Sequence, residues 1–513
     1  MAAALARDAV VAIIGAGAMG SGIAQVAAQA GHRVLLQDAR TGAAANAQRA
    51  VARTLAALAA KGKLTSEAAE AAAARIVPVA NTEDVRGAAL VIEAIVEDLA
   101  AKRALFAELE RVVADSTLLA TNTSSLSVTA LAAGLRVPRR VAGMHFFNPA
   151  PVLPLVEVVS GLATAREVAD TIHATAAAWG KTPVHASSTP GFIVNRCARP
   201  FYAEALRLLA ERAGDCATLD AVMREAGGFR MGPFELMDLI GHDVNFAVTR
   251  SVWDAYFNDP RFLPSVLQRE LVDAGYLGRK SGRGFYDYAP GAASPQPASE
   301  VARTTPRRIT IHGDLGPARA LVQRWRAAGV SVDEHDAVRA FPDGVIATGG
   351  AWLALTDGRT ATSRAVMSGA HRLVVFDLAL DYASCKRLAL ARADSCDDDA
   401  LGAACGALQA AGIAVSRLDD VAGLAVMRTV AMLANEAADA VTQGVATPAD
   451  LDLAMQRGVN YPRGPLAWGD TLGAARVRDV LHHLAAHYGE DRYRTAPLVT
   501  RRAAMGGKLV LNP

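Results

Sequence analysis

A short β-branched run, Ala9 to Ile14, leads directly into GAGAMG, with Gly15, Gly17 and Gly20 in the GxGxxG positions. Each glycine answers a separate steric need. Gly15 permits a tight turn, Gly17 lets backbone approach a pyrophosphate, and Gly20 allows a helix to lie close to a strand. The helix N-terminus that follows offers free amides and a positive dipole end. A lone glycine turn occurs in unrelated α/β domains. Here, however, a helical stretch from Ser21 to Ala30 ends at Gly31, and a second strand, Arg33 to Gln37, ends at Asp38, close to where an acid meets the adenosine ribose. That complete unit predicts a dinucleotide site. The Asp38 carboxylate suits the ribose hydroxyls of NAD and repels the 2′-phosphate of NADP, while Arg40 works in the opposite direction. Further strands at Ala88 to Glu93 and Thr117 to Ala120 extend a doubly wound parallel sheet.

At 513 residues the chain is too long for one core, and three or four domains are expected. A formal charge of +2 gives no basic field for nucleic acid or an anionic membrane. No apolar run is long enough to span a bilayer. The N-terminal apolar stretch is interrupted by glycines, as befits a buried strand rather than a secretory signal. The five cysteines, Cys197, Cys216, Cys385, Cys396 and Cys405, form no CxxC pair. No metal site and no disulfide framework are expected, and the reduced cytoplasm is the expected compartment.

From Thr189 the pattern turns helical, with TPGFIVNR opening it and GRKSGRGFYDY closing it near Tyr288. A Pro/Gly/Ala/Ser-rich linker follows, Ala289 to Pro306. Beyond it the chain repeats itself: Gly232, Pro233, Asp238 and Gly241 recur as Gly464, Pro465, Asp470 and Gly473, and the same shift of 232 maps Glu204 to Glu436 and Asp220 to Asp452. Between linker and repeat, Arg308 to Ala320 followed by Val330 to Asp336 reads as a worn strand, turn, helix and strand. Gly313 and Asp336 keep the spacing of Gly15 and Asp38, but Leu315 and Ala318 replace the second and third glycines. The histidines of this region, His312, His335 and His371, are read as structural. The expected fold is α/β plus all-α, in four parts: a Rossmann-type domain over 1–188, a helical domain over 189–288, a degenerate Rossmann-like domain without cofactor over 307–415, and a second helical domain over 416–513.

Polar residues gather after the later strands of the first domain, in TNTSSL (121–126), MHFFNP (144–149) and LVEVV (155–159). Oxidising an alcohol requires a group that removes its proton, and histidine has the pKa for this at neutral pH, which makes His145 the candidate base. Glu157, on the following strand, can fix the imidazole tautomer and stabilise the imidazolium. A lone histidine is more often structural, but GAGAMG, EAIVED, NTSSL, HFFNP, LVEVV and TPGFIVNR occur in this order. Together they closely resemble the 3-hydroxyacyl-CoA dehydrogenase family over residues 9 to 288.

The resemblance implies NAD-dependent oxidation of a 3-hydroxyacyl-CoA to its 3-oxo form, with His145 as base, Glu157 as its partner, and Ser124 and Asn195 holding the reacting oxygen or the histidine. For the cofactor it adds Glu97, Lys102, Asn122 and Asn148 to the glycine loop and Asp38. For the CoA carrier it points to Thr54 and Lys61, with Lys63 close enough to compete. The asparagine is not copied in the repeat, because Asn195 maps to Met427. The stretch NYPRGPLAWGD, Asn460 to Asp470, resembles long members of the family from bacterial phenylacetate degradation. It implies 3-hydroxyadipyl-CoA or a short-chain substrate such as 3-hydroxybutyryl-CoA. A dehydrogenase of a free hydroxy acid, or a catalytically silent NAD-binding protein on the same fold, are the competing readings. The two helical domains are expected to form an internal pseudo-dimer, with homo-oligomerisation left open.

Overall fold

The run that precedes the glycine motif is buried along its whole length and lies at the centre of a sheet. In the computed structural model, which describes residues 3–511, this strand is Val11–Ile14 (β1). It is joined by Val34–Gln37 (β2), Ile76–Val79 (β3), Leu90–Glu93 (β4), Leu118–Thr121 (β5), Val141–Phe146 (β6), Leu155–Ser160 (β7) and Thr182–Ser187 (β8). The order is β3-β2-β1-β4-β5-β6-β7-β8, parallel throughout except between β6 and β7. Val11 pairs with both Val34 and Leu90, so strand order reverses across β1, and the carboxyl ends of β1 and β4 open the crevice where doubly wound sheets bind ligands.

The expected strands begin a residue or two later than the apolar pattern suggests, because Arg33 and Ala89 already act as loop residues that bond across to β1 or its flank. The first helix (α1) starts at Ala18 rather than Ser21 and runs to Gln29. Its glycines Gly20 and Gly22 are buried inside it, where close packing outweighs their low helix propensity. Helices Ala43–Ala60 (α2) and Ser66–Arg75 (α3) form an arm between β2 and β3.

The chain folds as two compact units. One comprises the residues up to Arg196 with Gln443–Val459, and the other Cys197–Thr442 with the residues from Asn460 onward. The second unit holds its own sheet: Arg308–His312 (β9), Ser331–His335 (β10), Val345–Thr348 (β11), Ala351–Leu355 (β12), Leu373–Phe376 (β13), Arg387–Arg392 (β14) and Ala414–Arg417 (β15), in the order β10-β9-β11-β12-β13-β14-β15. β9 and β10 pair in parallel as β1 and β2 do, which is the worn strand–turn–helix–strand read from the sequence. Leu315 and Ala318 are buried where the lost glycines would stand, and a 3₁₀ turn, Gly316–Ala320, replaces the start of the first helix. β11 runs antiparallel to both neighbours and returns to β12 through Gly349 and Gly350, so the helical crossover of the first sheet is absent here.

The offset of 232 extends beyond the helical repeat into the sheets. His145 stands opposite Glu157 on β6 and β7. At the shifted positions Asp377 stands opposite Ala389, its amide bonding the Ala389 carbonyl at 2.9 Å. Gly191 and Phe192 have φ of 77° and 46°, and Gly423 and Leu424 repeat this with 76° and 52°. Each pair makes a left-handed turn that presents consecutive amides to a buried carboxylate. In the first half the carboxylate is Glu157; in the second it is Asp377, which accepts from Ala425, Val426, Met427 and Leu378 at 2.7–2.9 Å. Burial pushes the Asp377 carboxyl up to about 6, against the pull of those four amides.

The helical repeats exchange their second helices. Helix Pro448–Gly458 packs on β7 and β8, with Ser187 N donating to Val445 O at 2.8 Å. Its counterpart, Cys216–Glu225, packs on β14, with Asp419 N donating to Ala213 O at 2.9 Å. Within the second unit, helix Arg199–Ala210 packs on helix Val426–Thr442 through a buried ion pair, Arg428 Nε to Glu204 Oε2 at 2.6 Å, which Tyr493 OH completes at 2.9 Å. Removing either side of such a pair leaves an uncompensated buried charge.

Replacing Asp377 with Ala leaves buried amides without an acceptor, which costs about 1–3 kcal/mol for each group that finds no substitute. The expected outcome is a loss of roughly 3 kcal/mol in denaturant unfolding of the second unit. Unfolding of the first unit, which does not contain Asp377, is expected to stay unchanged in the same measurement.

Candidate active site

The turn after β1 has the geometry of a phosphate cradle. Gly15 has φ of +106°, and a Cβ there would lie 2.5 Å from the Ala94 carbonyl oxygen; a Cβ on Gly20 would lie 1.7 Å from that of Gly15. Both positions are closed to any side chain. Gly17 differs, because a Cβ there meets nothing within 4 Å. It caps α1 without a side-chain hydrogen bond, leaving the first-turn amides free beside open space. The chain at this turn therefore fits a dinucleotide pyrophosphate.

Asp38 ends β2 beside this loop, its Oδ2 accepting from Ala16 N at 2.8 Å and its Oδ1 from Arg40 Nε at 3.1 Å. Burial opposes its ionisation, but the Arg40 guanidinium and the Ala16 amide hold the carboxyl below the usual range. Arg40 is thus tied to Asp38, although its side chain is 75% exposed.

His145 and Glu157 are both buried, and Nδ1 of the imidazole lies 2.7 Å from Glu157 Oε2. The other oxygen, Oε1, accepts from Ile193 N and Val194 N at 3.0 Å each. The imidazole is flanked by Phe147 and Phe192, with ring centroids at 4.6 and 5.8 Å. Asn195 begins the next turn and donates from Nδ2 to the Ser124 carbonyl at 3.3 Å. Asn122 accepts from Phe146 N at 2.8 Å and so ties the end of β5 to the strand bearing His145. Asn148 is exposed just beyond β6.

Glu97 and Lys102 meet each other, with Lys102 Nζ 3.2 Å from Glu97 Oε2. Glu97 Oε1 gathers the loop after β5, accepting from Thr123 Oγ1 at 2.7 Å, Ser124 N at 2.9 Å and Ser125 Oγ at 3.0 Å. Burial raises the Glu97 carboxyl, but the Thr123 hydroxyl and Lys102 outweigh it and hold it low. Thr54 is exposed on α2 and donates to Ala50 O at 3.0 Å, while Lys61 caps the end of α2 and Lys63 follows, both exposed. The structure does not choose between the two lysines.

Two residues escaped the sequence reading. Glu93, fully buried at the end of β4, accepts from Lys102 Nζ at 2.6 Å, Ile95 N at 2.7 Å and Thr121 Oγ1 at 2.7 Å. It is the first glutamate of EAIVED, and the motif itself was the available signal. Lys181 donates to the carbonyls of Ala150 and Leu153 at 2.5 and 3.0 Å, fixing the loop after HFFNP. Nothing in its local sequence marks it.

Residues 10–189 match the family model for the 3-hydroxyacyl-CoA dehydrogenase NAD binding domain. Residues 191–288, and again 423–508, match that of the 3-hydroxyacyl-CoA dehydrogenase C-terminal domain. Residues 353–421 match the 3-hydroxybutyryl-CoA dehydrogenase reduced Rossmann-fold domain. The chain belongs to the 3-hydroxyacyl-CoA dehydrogenase family, and it is an NAD-dependent oxidoreductase. It is 44% identical over 495 residues to the 3-hydroxyadipyl-CoA dehydrogenase of Escherichia coli strain K12, covering 96% of this chain and 97% of the relative. A crystal structure of 3-hydroxybutyryl-CoA dehydrogenase from Escherichia coli K12 superposes with a TM-score of 0.88 at 43% identity, over 97% of this chain and 99% of that one. A crystal structure of (S)-3-hydroxybutyryl-CoA dehydrogenase from Ralstonia eutropha covers 55% of this chain and 99% of its own, with a TM-score of 0.53 and 38% identity.

The glycine geometry separates cofactor binding from folding. Gly17→Ala is expected to melt within about a degree of the parent while binding NADH at least about tenfold more weakly, because its methyl enters only the cradle. Gly20→Ala is expected to lower the melting temperature as well, since its methyl collides with backbone. Calorimetric titration beside thermal melting checks both.

Proposed function

We propose that the first unit oxidises 3-hydroxyadipyl-CoA at C3, with His145 as general base and Glu157 as its partner. The observation that carries this reading is the anchoring of Glu157: one oxygen is fixed by two backbone amides, so the other meets His145 Nδ1 at 2.7 Å in a set direction. Nδ1–H donates to the carboxylate, which leaves Nε2 as the proton acceptor. The imidazolium that forms is stabilised by the same carboxylate. NAD, when bound, supplies the acceptor for the hydride leaving C3.

Ser124 and Asn195 hold the substrate oxygen. Asn195 also fixes the Ser124 carbonyl, and Glu97 sets the loop on which Ser124 stands. Gly15, Gly17, Gly20 and Asp38 hold the cofactor, with Asn122 and Asn148 on its nicotinamide side. Lys102 acts through Glu97 rather than by direct contact, because its ammonium is only 1% exposed between Glu93 and Glu97. Thr54 and Lys61 on the α2–α3 arm meet the CoA carrier. The choice of a dicarboxylic substrate rests on the full-length relative named for 3-hydroxyadipyl-CoA; the structural relatives named for 3-hydroxybutyryl-CoA favour the short-chain alternative. The helical repeats act as an internal pseudo-dimer, a reading supported by the packing of Arg199–Ala210 on Val426–Thr442.

His145→Gln is expected to lower kcat at least about a hundredfold with little change in NADH affinity, as general-base contributions are typically of that order. Glu157→Gln is expected to slow turnover too, since the imidazolium loses its counter-charge. Near-parental kcat in His145→Gln contradicts the mechanism. For the substrate, kcat/KM is to be compared across 3-hydroxyacyl-CoA thioesters. A clear maximum for the six-carbon dicarboxylic thioester is expected, and equal or better turnover of 3-hydroxybutyryl-CoA contradicts the choice.

A further inference from the structure

The second sheet keeps the outline of the catalytic cleft while changing its chemistry. Leu119 pairs with Val141 across β5 and β6, and Trp352 pairs with Leu373 across β12 and β13. Val141 and Leu373 are related by the offset of 232, so the loop after β12 occupies the place of the loop after β5. Thr356 then stands for Thr123 and Asp357 for Ser124. The helix that follows confirms the register: Ser127 caps its helix by accepting from Ala130 N at 3.1 Å, and Thr360 does the same from Ser363 N at 3.1 Å. In that alignment Arg359 takes the place of Leu126, and Arg364 takes the place of the buried Leu131. Two leucines of the active half are two arginines here.

These arginines line a cavity of about 450 Å³, together with Thr356, Asp357, Arg476 and His483. That volume lies within the range of small-molecule sites, roughly 300–1,000 Å³. Cations outnumber free carboxylates inside it. Asp357 is taken by Arg359, and Arg364 Nε lies 3.4 Å from it. Asp479 is bonded to its neighbour Arg478. Arg476 makes no ion pair among the described residues, and Asp343 is an exposed carboxylate at the rim. His483 is held by its Nδ1, 2.7 Å from the Asp357 carbonyl. Burial works against the charge of Arg364, and repulsion from Arg359 and Arg476 adds to this, although Asp357 and Asp343 oppose it. The cavity wall also includes Gly473, Ala475 and Arg476 at the start of helix Ala474–Tyr488, whose N-cap glycine supplies no side-chain bond to the first-turn amides.

We propose that this cleft in the second half is a binding site for a small oxyanion-bearing metabolite, a dicarboxylate or a phosphate monoester, gripped by Arg476 and faced by Arg364, whose Nη1 is held by the Leu355 carbonyl at 2.5 Å. A guanidinium fork matches both oxyanions, and an oxyanion placed between the two arginines relieves their mutual repulsion. Asp377 stands in the place of His145 with its carboxylate spent on backbone amides, and Ala389 stands in that of Glu157, so the dyad of the first half is not repeated here and the bound molecule acts as an effector.

Calorimetric titration of the full chain at low salt with adipate and with glycerol 3-phosphate tests this and separates the two sources of oxyanion. At least one is expected to bind with a Kd below about 1 mM. Arg476→Gln is expected to weaken that binding at least about tenfold while leaving the melting temperature and basal turnover unchanged. His145→Gln and Lys61→Ala are expected to bind the anion as the parent does, which distinguishes this cleft from the catalytic one. The proposal is overturned by Kd values above about 1 mM for both anions, by binding that Arg476→Gln leaves unweakened, or by binding that disappears in His145→Gln or Lys61→Ala.

Discussion

A buried carboxylate held by the amides that follow a left-handed turn is the interaction on which both halves of this chain depend. In the first half, Gly191 and Phe192 turn the backbone so that Ile193 and Val194 point their N–H groups at Glu157. This bond joins β7 to the segment bearing Asn195, and it fixes the oxygen that meets His145. Neutralising or moving Glu157 disturbs His145, the segment bearing Asn195 and the strand junction together, because buried donors left without their acceptor cost more than the bond contributes in isolation.

The second half keeps the same turn and the same amides but supplies the carboxylate from the opposite strand. Asp377 stands in the histidine position and reaches the amides itself, while Ala389 fills the glutamate position. The carboxylate–amide part of the interaction survives and the imidazole–carboxylate pair does not. The loss of the glycine cradle at Leu315 and Ala318, and of the crossover between β11 and β12, follows the same division. What is retained is what the helices need, since each repeat places its second helix on the other sheet.

The first half was legible because its constraints are local. A glycine at Gly15 or Gly20 answers to atoms a few residues away, and a dyad on adjacent antiparallel strands keeps a short spacing, so His145 and Glu157 could be paired from sequence. The repeat was visible in the helices because Gly232, Pro233 and Asp238 mark turns and buried anchors that tolerate little change. In the sheets only the first strand–turn–helix–strand unit, at β9 and β10, was visible, and the later strands were not. His145 to Asp377 and Leu131 to Arg364 leave no common letter, and only the strand register and the paired φ values recover them. Lys181 was missed for a related reason, since its partners are backbone carbonyls that no periodicity announces, whereas Glu93 stood in the EAIVED motif and is set apart only by its buried bonds to Lys102, Ile95 and Thr121. The exchange of helices Cys216–Glu225 and Pro448–Gly458 is a property of the three-dimensional path alone.

If the second half has kept the shape of the first without its cofactor cradle, each chain holds a single dinucleotide, and the binding stoichiometry decides it. Titrating the full chain with NADH, followed by calorimetry and by nucleotide fluorescence, is expected to give one dinucleotide bound per chain, lost together with turnover in Gly17→Ala. Two equivalent sites per chain, or a remaining site of parental affinity in Gly17→Ala, would contradict the account.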